Sequence, residues 1–425
     1  MDSRVYWIWL AQALTPGNAA IEPLLAAFGD AAAVYAADEA ALRPLSLPPE
    51  LAARLSDKSL KEARAILERT VNVGDWILTP ADAAYPACLQ RLTDRPAVLY
   101  GRGTMPDLET FPGIGLVGTR GASAQGLTDA YRMAAGLAAA GAIVVSGGAL
   151  GIDAAAHAGA IAGGGATVVV LACPTTVSYP EENESLRRQA VRAGGALLSE
   201  FPPGLPYKCV FAVRNRLIAG LSQGVCLGET PLRSGARITA RLAREQGRDV
   251  FAMPGTLAGH INDGAHREIR DGAELVTRAS ELLQEYTALY PGILNTDAAD
   301  RTEERLEQAE KPDVAAGTRP RKAARADKAA AKAARKAVRA AKRRPAAEPA
   351  ESRGPETAKD PAAAPPDGAS ADARTVWQAL DTRPLAVDEL AGQTGLPVPR
   401  LLAALTELEM LGGAKNSAGQ KYSRG

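Results

Sequence analysis

The feature that most constrains the fold is an alternation of short apolar runs and helical segments between residues 76 and 285. Continuous Val/Ile/Leu strands that are joined by helical crossovers are typical of a parallel sheet buried on both faces. The sequence therefore predicts a Rossmann-like, doubly wound α/β fold with a mostly parallel sheet. The predicted strands lie at residues 98–100, 114–118, 142–147, 166–172, 196–200, 225–229, 250–254 and 274–276.

The composition changes on both sides of this α/β region, which we expect to span residues 73–288. Residues 1–72 are predicted to form a small helical domain, because apolar residues recur at helical spacing between turn-forming residues. Residues 289–370 are poor in core-forming side chains and are predicted to be a disordered linker. Residues 371–425 show two helices, a turn and a polar hairpin, which is the pattern of a winged-helix domain.

The formal net charge of +1 hides a strongly basic segment. Residues 321–344 hold eleven Lys and Arg side chains and one acid, Asp327. Such a segment stays extended in solution and attracts polyanions. The basic linker is therefore a candidate second contact for a nucleic acid.

The cysteines and histidines indicate the environment of the chain. Four cysteines show no CxxC spacing, and three histidines form no cluster with them, so we expect no metal site. No apolar run is long enough to span a membrane. We expect a cytoplasmic protein that has no cofactor and no membrane partner.

Two glycine-rich loops follow the predicted strands at 114–118 and 142–147. Free backbone N–H groups and helix dipoles make such strand-to-helix junctions favourable for anions. Neither loop has the GxGxxG pattern, and no acid ends the second strand to bind a ribose, so NAD is a poor fit. In the second loop the glycines could instead serve only to pack a helix on the sheet. The candidate binding residues are Gly118, Thr119, Arg120, Ser146, Gly147 and Gly148.

A third junction, YKCVFAVRNR at residues 207–216, places cations around an aromatic residue. Cations follow a phosphodiester backbone and an aromatic face stacks on a base, which is how single strands are held without sequence readout. Basic residues at a helix start oppose the helix dipole, and this cost favours a binding role. The candidate residues are Lys208, Phe211, Arg214, Asn215 and Arg216.

A fourth junction follows the strand at 225–229 and enters an amphipathic helix. Ser234 is predicted to cap this helix, and Arg233 adds a cation. Glu229 ends the strand, where we expect an orienting hydrogen-bond acceptor rather than a general base. The candidate binding residues are Ser234, Gly235 and Arg237.

Taken in order, these motifs resemble those of the DNA-processing protein A family (DprA/Smf). The resemblance rests on VGTRGASAQG, SGGALGIDAAAHAGAI, YPEENESL, FAVRNRLIAGLS, SGARITARLAREQGRDVFAMPG and other runs between about residues 80 and 276. It implies a homodimer that binds single-stranded DNA in natural transformation and loads the RecA recombinase without hydrolysing nucleotides. It also implies an N-terminal domain similar to sterile-alpha-motif folds and a C-terminal winged helix.

The resemblance assigns strand binding to Arg120 and, ahead of the Arg-Asn-Arg run, to Lys208 and Phe211. It also places the family's Ser-Gly turn at Ser234 and Gly235. The chain departs from the family pattern at Leu150, where an arginine is usual, so one cation is lost from the second loop. This loss is the reason to consider the basic linker as a compensating contact.

The residues do not complete a catalytic set, because P-loop, nucleophile-elbow and carboxylate–histidine patterns are lacking, so we expect no catalytic residue and no enzyme. Two alternatives stay open. A nucleotide phosphoribohydrolase-like enzyme would use the glycine-rich loops and Glu229. A nucleoid or duplex-DNA-binding protein would use the basic linker and the winged helix. The predicted recognition helix offers Arg400 against Glu407 and Glu409, which favours protein contacts over duplex readout.

Overall fold

The computed structural model divides the chain into two compact units, residues 1–335 and 336–425. Among the expected features, Lys208, Glu409 and the basic segment 321–344 lie outside the described residues. None of the described helices is long and apolar enough to cross a membrane. The described residues are 2–204, 211–309, 370–380, 385–394, 396, 400–401, 404–405, 407–408, 414–417 and 421–424.

The first unit contains a nine-stranded sheet, and the predicted α/β fold is confirmed. Each of the eight predicted runs forms a strand, and a further three-residue strand precedes them. The strands are β1 (Trp76–Leu78), β2 (Leu99–Gly103), β3 (Gly113–Val117), β4 (Ile143–Ser146), β5 (Thr167–Val170), β6 (Ala196–Ser199), β7 (Gly224–Leu227), β8 (Asp249–Ala252) and β9 (Glu274–Leu275).

The order of the strands is β1-β2-β6-β5-β4-β3-β7-β8-β9. Strands β3 to β9 are parallel, whereas β2 pairs antiparallel with β6 and with β1. From β3 the chain moves outward through β4, β5 and β6, then returns to the other side of β3 with β7. The direction of winding therefore reverses between β3 and β7, where doubly wound sheets bind their ligands.

Helices cover both faces of the sheet. Helices α8, α9, α14 and α15 share an apolar cluster with Leu116, Val144 and Phe251, and α11 and α12 share the opposite cluster with Val145 and Val225. The strands are thus buried on both sides, which is why their sequences are continuously apolar. The helices are α7 (Ala87–Gln90), α8 (Ala124–Ala139), α9 (Ile152–Ala162), α10 (Glu184–Arg192), α11 (Phe211–Gly220), α12 (Gly235–Glu245), α13 (Asp263–Arg270), α14 (Ala279–Gln284) and α15 (Thr296–Gln308).

Helix α15 lies within the segment that the sequence predicts to be linker. Its Asn295 cap accepts a hydrogen bond from Ala298 N, and Ala299 and Glu303 are buried against the face of the sheet that carries α8. Residues 296–308 therefore belong to the packed α/β region, which the sequence predicts to end at residue 288. The helix is strongly polar, so its sequence lacks the apolar face that identifies a packed helix.

The N-terminal region is helical, as the sequence predicts. Its apolar core, which includes Trp7, Leu10 and Ile66, continues into Ile77 of β1 and Tyr100 of β2. The helices therefore share a core with the antiparallel edge of the sheet. They are α1 (Arg4–Leu14), α2 (Ile21–Phe28), α3 (Ala31–Ala36), α4 (Glu39–Leu42), α5 (Pro49–Ser56) and α6 (Lys61–Asn72).

The second unit has helices packed with an antiparallel sheet. Helix α16 (Ala371–Ala379) is capped by Ser370, and α17 (Val387–Thr394) follows the first strand. Strands β10 (Leu385–Ala386), β11 (Ala414–Ser417) and β12 (Lys421–Arg424) pair in the order β10-β12-β11. This pattern fits the expected winged helix.

Candidate nucleic-acid interface

A crevice opens at the carboxyl ends of β3 and β7, where the winding of the sheet reverses. Its cavity has a volume of about 320 Å³. The loops after β3 and β7, the first turn of α9 and the starts of α11 and α12 form its walls. Its lining includes the predicted residues Gly118, Thr119, Arg120, Phe211, Arg214, Asn215, Ser234 and Gly235, together with Arg233.

Arg120 and Phe211 meet at the mouth of this crevice. The guanidinium carbon of Arg120 lies 4.4 Å from the centroid of the Phe211 ring, which is cation–π geometry. Arg120 is exposed and forms no ion pair with any acid in the described part of the chain. Its charge is therefore available to a ligand.

Tyr179 extends this stack and was not among the predicted site residues. Its ring centroid lies 6.0 Å from that of Phe211, and the side chain is 43% exposed. A second, smaller cavity lies between these groups and the loop after β4, with Gly147 and Gly148 in its lining. The sequence shows an aromatic residue in the loop between β5 and α10, but this loop contains no Lys or Arg that would have indicated a nucleic-acid site.

The glycines of the loops are required by close packing. A Cβ on Gly118 would lie 2.5 Å from Ile152, and one on Gly147 would lie 2.2 Å from Arg214 Nη1. Gly151 adopts φ +79°, and a Cβ there would lie 2.2 Å from the carbonyl oxygen of Thr119. The two glycine-rich loops therefore pack directly against each other, and this packing positions Arg120.

Glu229 joins the loops that follow β3 and β7. Its carboxylate accepts hydrogen bonds from Ser123 N at 2.7 Å and from Ser123 Oγ at 2.5 Å. Ser123 Oγ also accepts from Gly126 N at the start of α8. These contacts match the role of an orienting acceptor that the strand-end position suggests.

Arg214 is buried beneath the crevice. Its Nη1 donates to the carbonyl oxygen of Gly147 at 2.6 Å and to that of Val170. Burial lowers the pKa of Arg214, and the nearby carboxylate of Asp153 acts in the opposite direction. Asn215 donates to the carbonyl oxygen of Gly235 at 3.3 Å. Both side chains hold the loops in place from below.

Two predicted binding residues lie away from the exposed stack. Arg216 is buried, and its Nη2 donates to Glu200 at 2.6 Å while Nε lies 3.2 Å from Asp94. Ser146 is also buried and donates to the carbonyl oxygen of Leu116 at 2.6 Å. Their hydrogen bonds are internal to the fold, and neither residue lines the crevice.

The loop after β7 and the first turn of α12 contain one free and one paired arginine. Ser234 caps α12 by accepting from Ala236 N at 3.2 Å, as predicted, and Arg237 pairs with Glu268 at 2.6 Å. Arg233 is exposed, lines the crevice and forms no ion pair with another described residue. Arg233 and Arg120 are therefore the cations that the crevice exposes from the described loops.

His157 is a packed helix residue. Its Nδ1 lies 2.8 Å from Thr167 Oγ1, and burial lowers the pKa of the imidazole to about 3. A group with this pKa is neutral at physiological pH and too weakly basic to act as an efficient general base. His157 therefore serves to pack α9 against β5.

Comparison with known proteins finds two family models that match this chain. The family model for DNA recombination-mediator protein A matches residues 76–287, and that for the DprA winged helix domain matches residues 360–420. The second match identifies the C-terminal region as a winged helix.

The relatives and a solved structure agree with these matches. The chain is 41% identical to the DNA processing protein DprA of Streptococcus pneumoniae over 48% of this chain and 72% of that protein. It is 31% identical to the protein Smf of Synechocystis, over 84% and 82% of the two chains. The crystal structure of the pneumococcal DprA aligns with a TM-score of 0.57 at 32% identity, over 66% of this chain and 97% of the other. The chain thus belongs to the DNA recombination-mediator protein A family, DprA/Smf.

Proposed function

We propose that this protein binds single-stranded DNA in the crevice at the carboxyl ends of β3 and β7. The proposal includes the family's role in natural transformation, in which a cytoplasmic homodimer protects the incoming strand and loads RecA. It involves no covalent chemistry. Relatives at 41% and 31% identity are named for DNA processing or as Smf, and this coarser assignment supports the proposal.

The observation that carries the proposal is the stack of Arg120 on Phe211. A free guanidinium attracts the phosphodiester backbone, and a partly exposed aromatic ring such as that of Phe211 can stack on a base of any identity. The two requirements for holding a single strand without reading its sequence are therefore met within one contact. Arg233 supplies a second cation across the crevice.

The described contacts also favour a binding role over a hydrolytic one. Glu229 would be the general base of a phosphoribohydrolase-like reaction, but both of its oxygens accept hydrogen bonds from Ser123. This use of the carboxylate leaves the loops oriented for binding. Release of free adenine from AMP that depended on Glu229 would contradict the proposal.

The experiment is a fluorescence-anisotropy titration of an oligo(dT) with the full chain and with Arg120→Glu. Reversing this charge is expected to weaken binding at least about tenfold, because a phosphate contact becomes a repulsion. Arg54→Glu, on the exposed face of α5, is the control with the same change of charge. Equal binding by both variants would contradict the assignment of the site.

Two further measurements test the partners. Light scattering of the purified chain is expected to give the mass of a dimer. A RecA filament assay on DNA coated with a single-strand binding protein is expected to show faster nucleation with this chain than without it. Tighter binding of duplex than of oligo(dT) would instead favour the nucleoid interpretation.

A further inference from the structure

A cavity separate from the crevice lies between the end of α1 and the sheet. Its volume is about 350 Å³, within the range of small-ligand sites. One wall comes from α1 and the turn after it, including Ala11 and Leu14, and another comes from Tyr100 on β2. Pro174, Glu200 and Phe201, which follow β5 and β6, form the floor.

The lining of this α1–sheet cavity suits a flat ligand that has N–H donors. Most of its walls are aliphatic, proline or aromatic side chains, which pack on the faces of a planar ring. Glu200 is the acid in the lining, and one of its oxygens already accepts from Arg216. A carboxylate accepts from up to four directions, so Glu200 retains capacity for a ligand.

The charges around this cavity argue against a phosphate. Arg216 is shared between Glu200 and Asp94, so this cluster has one more acid than base. Arg95, also in the lining, forms an ion pair with Glu22. Burial raises the pKa of Glu200, and the charge of Arg216 acts in the opposite direction. The cavity therefore lacks the unpaired cation that an anionic group would need.

The cavity lies on the same edge of the sheet as the crevice. Glu200 follows the carboxyl end of β6, and Arg120 follows that of β3, with β5 and β4 between them. Neighbouring strands are about 4.8 Å apart, so these ends are separated by roughly 14 Å. Phe211 and Tyr179 lie beside the loops after β4 and β5, on the path between the two sites. A few nucleotides of single strand cover this distance.

We propose that the α1–sheet cavity receives one base of the strand whose backbone lies at Arg120 and Phe211. Glu200 would accept hydrogen bonds from the Watson–Crick edge of that base. Guanine fits best, because its imino and amino groups present two adjacent donors, whereas thymine presents one. The inference rests on the proposed function and adds to it a subsite with a base preference.

The test on the unmodified protein is a substitution scan of the ligand. A single dG replaces each dT in turn along a short oligo(dT), and the affinity of the full chain is measured by anisotropy. The expected result is one position at which dG tightens binding about tenfold, the effect of a good bidentate contact. Deoxyinosine at that position keeps one donor and is expected to lose most of the gain. An equal affinity for every oligonucleotide would overturn the proposal.

A cavity-filling variant provides the second arm. Ala11→Leu adds bulk from the wall on α1 and retains high helix propensity. It is expected to remove the gain from dG and to leave oligo(dT) affinity unchanged. Ala27→Leu, exposed on α2 and outside the lining, is the matched control and is expected to keep the gain. Retention of the dG gain by Ala11→Leu would place the preference elsewhere and overturn the proposal.

Two outcomes separate this subsite from the proposed function itself. If Arg120→Glu abolishes oligo(dT) binding but the dG scan is flat, the crevice is supported and the base subsite is wrong. Guanosine alone tests whether the cavity serves a free nucleoside. It is expected to compete with the dG oligonucleotide only at much higher concentration, and tight guanosine binding with a flat scan would overturn a subsite for the strand.

Discussion

The arginines of α11 and those of the loops after β3 and β7 have opposite environments. Arg214 and Arg216 are buried and make internal hydrogen bonds and ion pairs, whereas Arg120 and Arg233 are exposed at the crevice. All four are close to the carboxyl edge of the sheet. The difference shows that an arginine near the crevice is available to a ligand only where no acid or carbonyl group of the fold already binds it.

The comparison separates two kinds of residue in the crevice. Arg214 fixes the loop that contains Gly147, and Arg216 links α11 to Glu200 and Asp94. These groups set the shape of the site. Arg120, Arg233 and Phe211 present charge and an aromatic face to a ligand. Mutations in the first set should therefore change stability, and those in the second set should change binding.

The largest expected effect is on stability, in Arg216→Met. Removing the guanidinium leaves Glu200 and Asp94 without their shared partner, and breaking a buried ion pair in this way costs about 3–5 kcal/mol. Urea denaturation measures the change. Arg233→Met is the control with the same chemical change at an exposed position. We expect it to lower the free energy of unfolding by less than about 0.5 kcal/mol. Equal losses in the two variants would remove the distinction between the two sets.

The next effect is on binding, in Phe211→Leu. Loss of one base-stacking face costs about 1–3 kcal/mol, or roughly 5- to 150-fold in the affinity for oligo(dT). The dependence of affinity on salt should stay unchanged, because no cation is removed. Tyr179→Leu is the comparison within the same stack. A change in the salt dependence of Phe211→Leu would show that the ring acts mainly by positioning Arg120.

A pH effect of intermediate size extends the comparison to a buried acid. Glu303 on α15 accepts from Ala279 N at 2.8 Å, and burial raises the pKa of its carboxyl from 4.5 to about 7. Between these values the packed helix holds a proton that the released helix loses. The stability of the packed state is therefore full below pH 4.5 and declines as the pH rises through 7.

Hydrogen exchange in α15, corrected for the intrinsic pH dependence of exchange, measures this effect. We expect local opening to increase by roughly 70-fold from pH 5 to pH 8, because about two pH units of the shift lie above pH 5. Glu303→Gln keeps an acceptor for Ala279 N but has no charge, so its corrected exchange should not change across this range. A wild-type profile as flat as that of the glutamine variant would show that Glu303 is not protonated when packed.

The smallest effect concerns the salt dependence of binding in Arg233→Ala. For single strands the slope of log K against log salt falls by about 0.7 for each phosphate contact that is lost. Between 50 and 200 mM salt, this difference in slope changes the affinity by only about two- to three-fold. Arg237→Ala, which removes an arginine already paired with Glu268, should leave the slope unaltered. A larger change in Arg237→Ala than in Arg233→Ala would reverse their assigned roles.

The sheet could be predicted because its strands are buried on both faces and so are continuously apolar. The sequence did not predict β1, because this strand has only three residues and part of its apolar environment comes from the N-terminal helices. The sequence did not predict α15, because this helix contributes little apolar surface to the core and its buried residues are Ala299 and Glu303. Where burial depends on a partner distant in sequence, local patterning contains little of the signal.

The site could be predicted to the level of its loops but not of every side chain. Arg120 and Phe211 follow from residue type and from their strand-to-helix junctions. Arg216 has the same residue type but pairs with Glu200 and Asp94, and spacing along the chain does not indicate that contact. Glu200 follows β6 and Asp94 precedes β2, so these acids meet Arg216 only because β2 pairs with β6.

The separation of structural from exposed arginines has a consequence for how such a protein evolves. If the proposed site is correct, we expect substitutions at Arg120 and Arg233 to alter affinity without unfolding the protein, so that single mutations could change the strength of binding. Leu150 lies beside Arg120 in the smaller cavity, and an arginine there would add a cation without displacing a buried partner. The buried contacts of Arg214 and Arg216 would therefore keep the fold stable while the affinity of the crevice for its ligand changes.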